Sequence, residues 1–416
     1  MEKSNVPPVS EAAKQPSNVP GAGRLMSLDV FRGATIAAMM LVNNPGDWKH
    51  IYPPLDHAEW HGWTFTDTIF PFFLWIVGVA IPLSVARRIE QGQSRRELFF
   101  HTLRRAAILF GLGLFLVTFG HVIKASAWDS GFDKWLDNYL TTVRIPGVLQ
   151  RIAICYLVAT AIYLWADRYR QISITVGLLA AYWLVMALAP YSVTVDGQTR
   201  FEAGHLLKGN NFSAFVDNLV FNGPEIGTHV WNQTKTWDPE GIVSTLPAIA
   251  SVMLGVFAGQ LLRTKRSGAE KTAWLMVSGA ALMWVGQLMH LALPINKNIW
   301  TSSFAVFMGG LAMVCFGVCY WLVDVQGRRK LAKPFAIYGM NAIAVFALSN
   351  LISQTISNIK VATENDKPMM LKAWLHDHYF AWAPLKISSL TWAILWVLLL
   401  YLIAWVMYRR KWFVKF

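Results

Sequence analysis

Ten apolar runs divide the chain, at approximately 27–45, 64–86, 105–123, 144–165, 172–190, 241–262, 272–293, 299–323, 334–354 and 387–408. Each is close to the length needed to cross about 30 Å of hydrocarbon as a helix. In lipid every backbone N–H and C=O must be satisfied internally, which leaves only helices and closed barrels as spanning structures. Runs of this length select the helix. The spacing therefore predicts an all-α fold, a polytopic transmembrane helical bundle of about ten spans. Composition agrees. Hydrophobic residues make up 55% and charged residues only 15% of the chain, where a soluble domain carries about a quarter charged. The first run is the most polar, with Asp29 and Arg32 in its opening turns. Many of the 20 tryptophans sit at run edges, among them Trp60, Trp63, Trp128, Trp135, Trp231, Trp237, Trp300, Trp374 and Trp382. Amphipathic indoles prefer the headgroup level, so these read as an aromatic belt.

Charge orients the bundle. The formal net charge is +13, and the cations cluster after the even-numbered runs. The clusters are Arg87, Arg88, Arg95, Arg96, Arg104 and Arg105; Arg168 and Arg170; Arg263, Lys265, Arg266 and Lys271; Arg328, Arg329, Lys330 and Lys333; and Arg409, Arg410, Lys411 and Lys415. The positive-inside rule puts these exits and both termini in the cytoplasm. It puts loops 46–63, 124–143, 191–240 and 355–386 on the far side, which looks like the working face. Orientation accounts for the excess charge better than a nucleic-acid surface does, so no nucleic-acid partner is expected. Residues 1–23, rich in Pro, Ser, Asn and Ala, read as a disordered cytoplasmic tail, and 24–416 as a single domain. Cys155, Cys315 and Cys319 lie inside apolar runs and make neither a disulfide framework nor a metal spacing. No metal is expected, and no phosphate-binding Gly-rich loop is found. Gly111, Gly113, Gly255 and Gly259 are expected to serve close helix packing.

The densest polar cluster joins the first two runs: Asn43, Asn44, Asp47, His50, Asp56, His57, Glu59, His61 and Asp67. A histidine in such a loop is usually only solvated. Asp67 raises the interest, because it falls one turn inside the second run, where an ionisable group is costly and by default functional. It is placed to fix the tautomer of His57 or to stabilise its cation. Asp29 and Arg32 are spaced i, i+3, so an internal ion pair competes with a ligand role. Gln150 and Arg151 lie inside the fourth run, Asn296, Lys297 and Asn298 open the eighth, and Asn341 lies inside the ninth. Asp238 and Glu240 precede the sixth, where helix capping is the plain alternative. These residues gather polar groups from several spans, and by themselves they leave a transporter, an enzyme and a receptor open.

The ordered blocks are more specific. SLDVFRG at 27–33, VN at 42–43, HAEWHGWTFTD at 57–67 and FPFFLWIVG at 70–78 resemble the heparan-alpha-glucosaminide N-acetyltransferase family, and LQR at 149–151, DPEG at 238–241, NKNIW at 296–300 and GMNAI at 339–343 follow in order. The likeness runs over nearly all of the chain after residue 24, and the bacterial members nearest to the pattern are the NagX-type proteins of amino-sugar utilisation. The resemblance implies transfer of an acetyl group from cytoplasmic acetyl-CoA to an amine across the membrane, in a bacterial inner membrane. The family's essential histidine is matched by His57 and its asparagine by Asn43, so the expected catalytic residues are His57, Asn43 and Asp67. Arg32, Arg104, Arg105, Gln150, Arg151, Lys297, Asn298 and Asn341 are the expected acetyl-CoA contacts. Asp238, Glu240, Trp60 and His61 are the expected acceptor contacts. His61 stands where the lysosomal members usually carry Asn, and their lumenal domain and extra span before this region are not seen here. A glucosamine-type acceptor is therefore expected rather than heparan sulfate. The expected partners are acetyl-CoA, the amino sugar, the lipid bilayer and a second copy in a homodimer. A secondary transporter for N-acetylglucosamine or a related sugar is the competing reading, since polar residues at depth suit both.

The charge pattern makes one prediction directly. Single-cysteine variants at Asp47 and Gln93 should be labelled by an impermeant reagent from opposite sides, position 47 from the far side and position 93 from the cytoplasm. Labelling of position 47 from the cytoplasm alone would invert the topology.

Overall fold

The computed structural model describes residues 25–124, 131–195, 198–361, 368–380 and 382–414. The expected tail 1–23, Trp128 and Lys415 lie outside the described residues. Fourteen helices follow one another there: α1 Met26–Asn43, α2 Phe65–Glu90, α3 Arg95–Val122, α4 Phe132–Thr142, α5 Val148–Trp165, α6 Arg168–Leu188, α7 Phe212–Phe221, α8 Ile242–Leu262, α9 Gly268–His290, α10 Ser302–Tyr320, α11 Arg329–Met340, α12 Ala342–Asn358, α13 Leu371–Phe380 and α14 Leu385–Arg409. Strands among the described residues are confined to two-stranded antiparallel hairpins, the longest pairing Tyr191–Val195 with Gln198–Glu202. The protein is an all-α, polytopic membrane bundle.

Eight of the helices are long and apolar enough to cross a membrane: α2, α3, α5, α6, α8, α9, α10 with its continuation to Val325, and α14. The ninth run is not one continuous span. It breaks at Asn341 into α11 and α12, which meet at a bend of 66°. The first run forms α1, whose 18 residues would extend roughly 27 Å at helical rise. It is less apolar than the eight because it carries Asp29 and Arg32. It tolerates them because it is held inside the bundle against α2, α11, α12 and α14, so its charges meet protein rather than lipid. Span limits shift by a few residues elsewhere. The largest shift is α3, which starts at Arg95 behind a Ser94–Glu97 capping box and so carries Arg104 and Arg105 on its flank.

α2 and α8 form the centre, with 72% and 78% of their most apolar windows buried, whereas α3, α6 and α9 stand at 22% and face outward. Glycine makes the central seam possible. A Cβ at Gly78 would stand 2.0 Å from the Val252 carbonyl oxygen, and one at Gly255 would stand 2.1 Å from that of Trp75. Lipid gives little hydrophobic drive between helices, so such backbone approach supplies the packing. Gly113 and Gly259 also face close neighbours. Gly111 does not: a Cβ there would meet open space.

Candidate active site

The site begins with the first turn of α2. Asp67 is 1% exposed, and its Oδ2 accepts the backbone N–H groups of Ala58 and Thr64, each at 3.0 Å, and the Thr64 hydroxyl at 3.2 Å. The carboxylate thus folds the loop 58–64 back onto the helix start, where backbone N–H groups and the helix dipole favour an anion. Its Oδ1 lies 2.6 Å from His57 Nδ1. A carboxylate only accepts, so the proton sits on Nδ1 and the Nε2 lone pair is left outward. The His57 side chain is 46% exposed, open to a reactant.

A second loop meets this one. Asn296–Thr301, between α9 and α10, is a self-bonded turn: the Asn296 side-chain oxygen accepts the Ile299 N–H at 3.1 Å, and Thr301 Oγ1 accepts the Asn296 N–H at 3.0 Å. Trp300 takes a φ of 48° there, a left-handed value uncommon for a bulky residue and held only by its surroundings. Its indole is buried, donates to Ser251 Oγ at 3.1 Å and packs edge-on to Phe70, one turn beyond Asp67. The Gly62 N–H donates to the Ile295 carbonyl at 2.7 Å. This docking brings Lys297 Nζ to 3.2 Å from each ring nitrogen of His57 and 3.9 Å from Asp67 Oδ1. A point equidistant from both nitrogens lies along neither in-plane lone pair, so the amine sits over the imidazole face. Burial pulls the Lys297 amine below its ordinary range, and Asp67 opposes that pull. His61 lies beside the same turn, 3.4 Å from the Asn296 amide, and burial lowers its pKa.

Behind the turn stand the fourth and sixth runs. Arg151 is fully buried, donates to the Gly241 carbonyl at 3.1 Å and to Ser244 Oγ at 2.5 Å, and lies over the Trp300 ring at 5.3 Å. Its Nε and Nη1, with the Gln150 amide nitrogen, make no hydrogen bond among the described residues. Gln150 wedges against Gly113 of α3. Asp238 and Glu240 converge on Arg144, which pairs with Asp238 through two nitrogens at 2.7 and 2.8 Å and with Glu240 at 2.5 Å. Burial works against the Arg144 charge, and the two carboxylates outweigh it, raising its pKa. The carboxylate at the start of α8 is Asp217, whose oxygens accept the Ile242 and Asp238 N–H groups at 2.9 and 3.2 Å. Trp60 donates to the Leu206 carbonyl at 2.7 Å and packs edge-on to Trp237.

The remaining expected residues lie elsewhere. Arg32 donates to the Gly339 carbonyl at 2.8 Å and pairs with Asp29 at 2.5 Å. It thereby satisfies a carbonyl freed by the break between α11 and α12. Asn341 occupies the break and ties down the C-terminal segment, donating to the Trp412 carbonyl and accepting the Val414 N–H, each at 3.1 Å. Arg105 lies over the Tyr156 ring at 5.3 Å. Arg104 is exposed, and Asn298 is half-buried. Asn43, the last residue of α1, is exposed and makes no side-chain hydrogen bond among the described residues. A narrow apolar crevice with a free volume of about 10 Å³, room for about one water, is lined by Ile36, Met39, Phe73, Leu149, Ile152 and Phe346 among others. Arg32, Ile36, Met39 and Asn43 share one face of α1 by helical spacing, so this face is polar at both ends and apolar between.

The sequence blocks therefore sort into two places. HAEWHGWTFTD, LQR, DPEG and NKNIW meet around His57, whereas SLDVFRG and GMNAI meet at the break below α12. Arg144 and Asp217 escaped the sequence reading. Their signals were a basic residue at an odd-numbered loop and an acid inside the apolar stretch Phe212–Phe221. Residues 24–196 match a family described as a domain of unknown function (DUF5009). Two proteins named heparan-alpha-glucosaminide N-acetyltransferase align with the chain. The Mus musculus protein is 26% identical over 457 residues, covering 99% of this chain and 63% of its own length. The Homo sapiens protein is 28% identical over 437 residues, covering 94% of this chain and 60% of its own length. The chain thus spans somewhat over half the length of these relatives.

Asp217 yields a pH prediction. Burial, first among its causes, raises its carboxyl from 3.8 to about 7. The folded state then holds a proton that the unfolded state releases above about pH 4. Stability from this group is full below that pH and is lost as pH rises through about 7. The difference in Tm between the native protein and Asp217→Asn in detergent should fall as pH rises from 4 to 7. A pH-independent difference would contradict this assignment.

Proposed function

We propose that this chain, a relative of the heparan-alpha-glucosaminide N-acetyltransferases, is a transmembrane acetyltransferase of a bacterial inner membrane. It moves an acetyl group from cytoplasmic acetyl-CoA to the amine of a glucosamine-type sugar on the periplasmic side. The observation that carries the reading is the His57–Asp67 pair at 2.6 Å, which turns Nε2 away from the carboxylate, in a chain that aligns over 99% of its length with a protein named as an N-acetyltransferase.

The residues fit the donor substrate. The crevice along α1 is apolar and, as it stands, has room for little more than one water. We place the slender pantetheine arm along this apolar face, with the lining helices parted to admit it and the nucleotide left at the membrane surface. Arg32 and Arg105 stand toward that end as cations for the phosphates. At the other end we assign Asn43, the last residue of α1, to the thioester carbonyl, where its amide nitrogen would donate to an oxygen gaining negative charge. The acceptor amine attacks the carbonyl carbon while His57 Nε2 takes its proton as general base. The tetrahedral state collapses, the C–S bond breaks, and the proton passes from His57 to the departing sulfur. Direct transfer avoids an acetyl-imidazole that water would hydrolyse. Trp60 offers an aromatic face for the sugar beside this site.

Purified protein in detergent, given labelled acetyl-CoA and glucosamine, should form N-acetylglucosamine. His57→Ala should retain CoA binding and lose turnover by roughly 10²-fold or more. Mass spectrometry after incubation with acetyl-CoA alone should find no acetyl adduct on His57. Near-native turnover in His57→Ala would remove the histidine from the mechanism.

A further inference from the structure

We infer that Lys297 is a catalytic residue of this reaction, its ammonium countering the negative charge that develops on the thioester oxygen beside His57. The inference rests on the acetyltransferase reading and adds to it a group that the sequence assigned to holding acetyl-CoA. The position argues against that assignment. Lys297 belongs to the turn that docks on the His57 loop through Gly62 and Ile295. The basic clusters suited to nucleotide phosphates follow the even-numbered runs, at the other end of the helices. Its amine is 3.2 Å from both ring nitrogens of His57.

A cation in this place complements the charge that the reaction develops. In the resting site the imidazole stands between the Asp67 carboxylate at 2.6 Å and the Lys297 amine at 3.2 Å. As the C–N bond forms, the carbonyl electron pair moves to oxygen and the amine proton moves to Nε2. His57 becomes cationic and is paired by Asp67 at 2.6 Å. The new oxyanion then gains a charged partner in addition to the Asn43 amide, because Lys297 stands 3.2 Å from the imidazole. Sulfur leaves with the C–S electron pair and takes the proton back from His57, so Lys297 ends the cycle with its own protons. Other charges act on it in opposite senses, Glu240 favouring the ammonium and Arg151 opposing it.

The geometry suits an electrostatic role. Because the amine lies over the ring rather than along a lone pair, it leaves Nε2 open to the acceptor. An ammonium has three donors, and Asp67 Oδ1 at 3.9 Å lies beyond hydrogen-bond reach. The turn that carries Lys297 is fixed by Asn296, Thr301 and the buried Trp300, and Trp300 leans on Phe70 of the helix that carries Asp67. A preorganised cation costs no reorganisation when charge appears.

The test is steady-state acetylation of glucosamine by purified Lys297→Met and Lys297→Arg, with acetyl-CoA varied and CoA binding measured by calorimetry. Loss of one such charge-stabilising donor typically costs 10²–10³-fold in kcat. Lys297→Met should therefore lose roughly 10²-fold in kcat while KM for acetyl-CoA and CoA affinity hold. Lys297→Arg should recover a substantial part of the loss. Should Lys297→Met fail to fold, Lys297→Gln serves the same readout. A raised KM and weakened CoA binding with kcat retained would return Lys297 to a cofactor-anchoring role and overturn the inference. So would an unchanged kcat in Lys297→Met beside an active native protein. If the native protein forms no N-acetylglucosamine, the acetyltransferase reading falls first and this inference with it.

Discussion

A buried carboxylate at the start of the central helix organises the reactive end of this bundle. Asp67 accepts backbone N–H groups from Ala58 and Thr64 and leaves one oxygen for His57. Both jobs follow from one location. In the first turn of α2 an anion is stabilised by unpaired N–H groups and the helix dipole. In a buried setting it cannot stay charged without partners. The loop and the histidine are those partners, with Lys297 at 3.9 Å completing the charge. The fold supplies the supports: α2 is central, Phe70 on it carries Trp300, and Trp300 fixes the turn from which Lys297 extends.

α1 links the two ends. Arg32 near its start caps the broken ninth span at Gly339, Asn43 closes its other end, and Ile36 and Met39 between them line the apolar crevice. A helix this polar would be costly in contact with lipid. Enclosed by its neighbours, it keeps those groups out of lipid. The break at Asn341 serves the same arrangement, because a straight span there would leave no free carbonyl for Arg32.

Much of this was legible in the sequence for a physical reason. Lipid demands helices of nearly fixed length, so apolar runs read off most spans within a few residues, whereas the short loop helices α4, α7 and α13 fall outside every run. The His57–Asp67 pair was legible too, because the two lie only ten positions apart and the acid lies at an unusual depth. What could not be read is loop docking. Lys297 is 240 positions from His57, and no local pattern says which nitrogen it approaches. Arg144 and Asp238 lie 94 apart, so Asp238 and Glu240 read as helix caps when their main partner is an arginine, and Asp217 does the capping. The bend at Asn341 was likewise hidden, since Gly339 and Asn341 interrupt an apolar pattern that otherwise continues.

The central claim is that acetyl transfer crosses the membrane. Oriented proteoliposomes carrying the protein would test it directly, with acetyl-CoA confined to the side bearing the basic loops and labelled glucosamine to the other. The account predicts N-acetylglucosamine only in the compartment that holds the sugar, with free CoA accumulating opposite. Product formed only when both substrates share one compartment would contradict it.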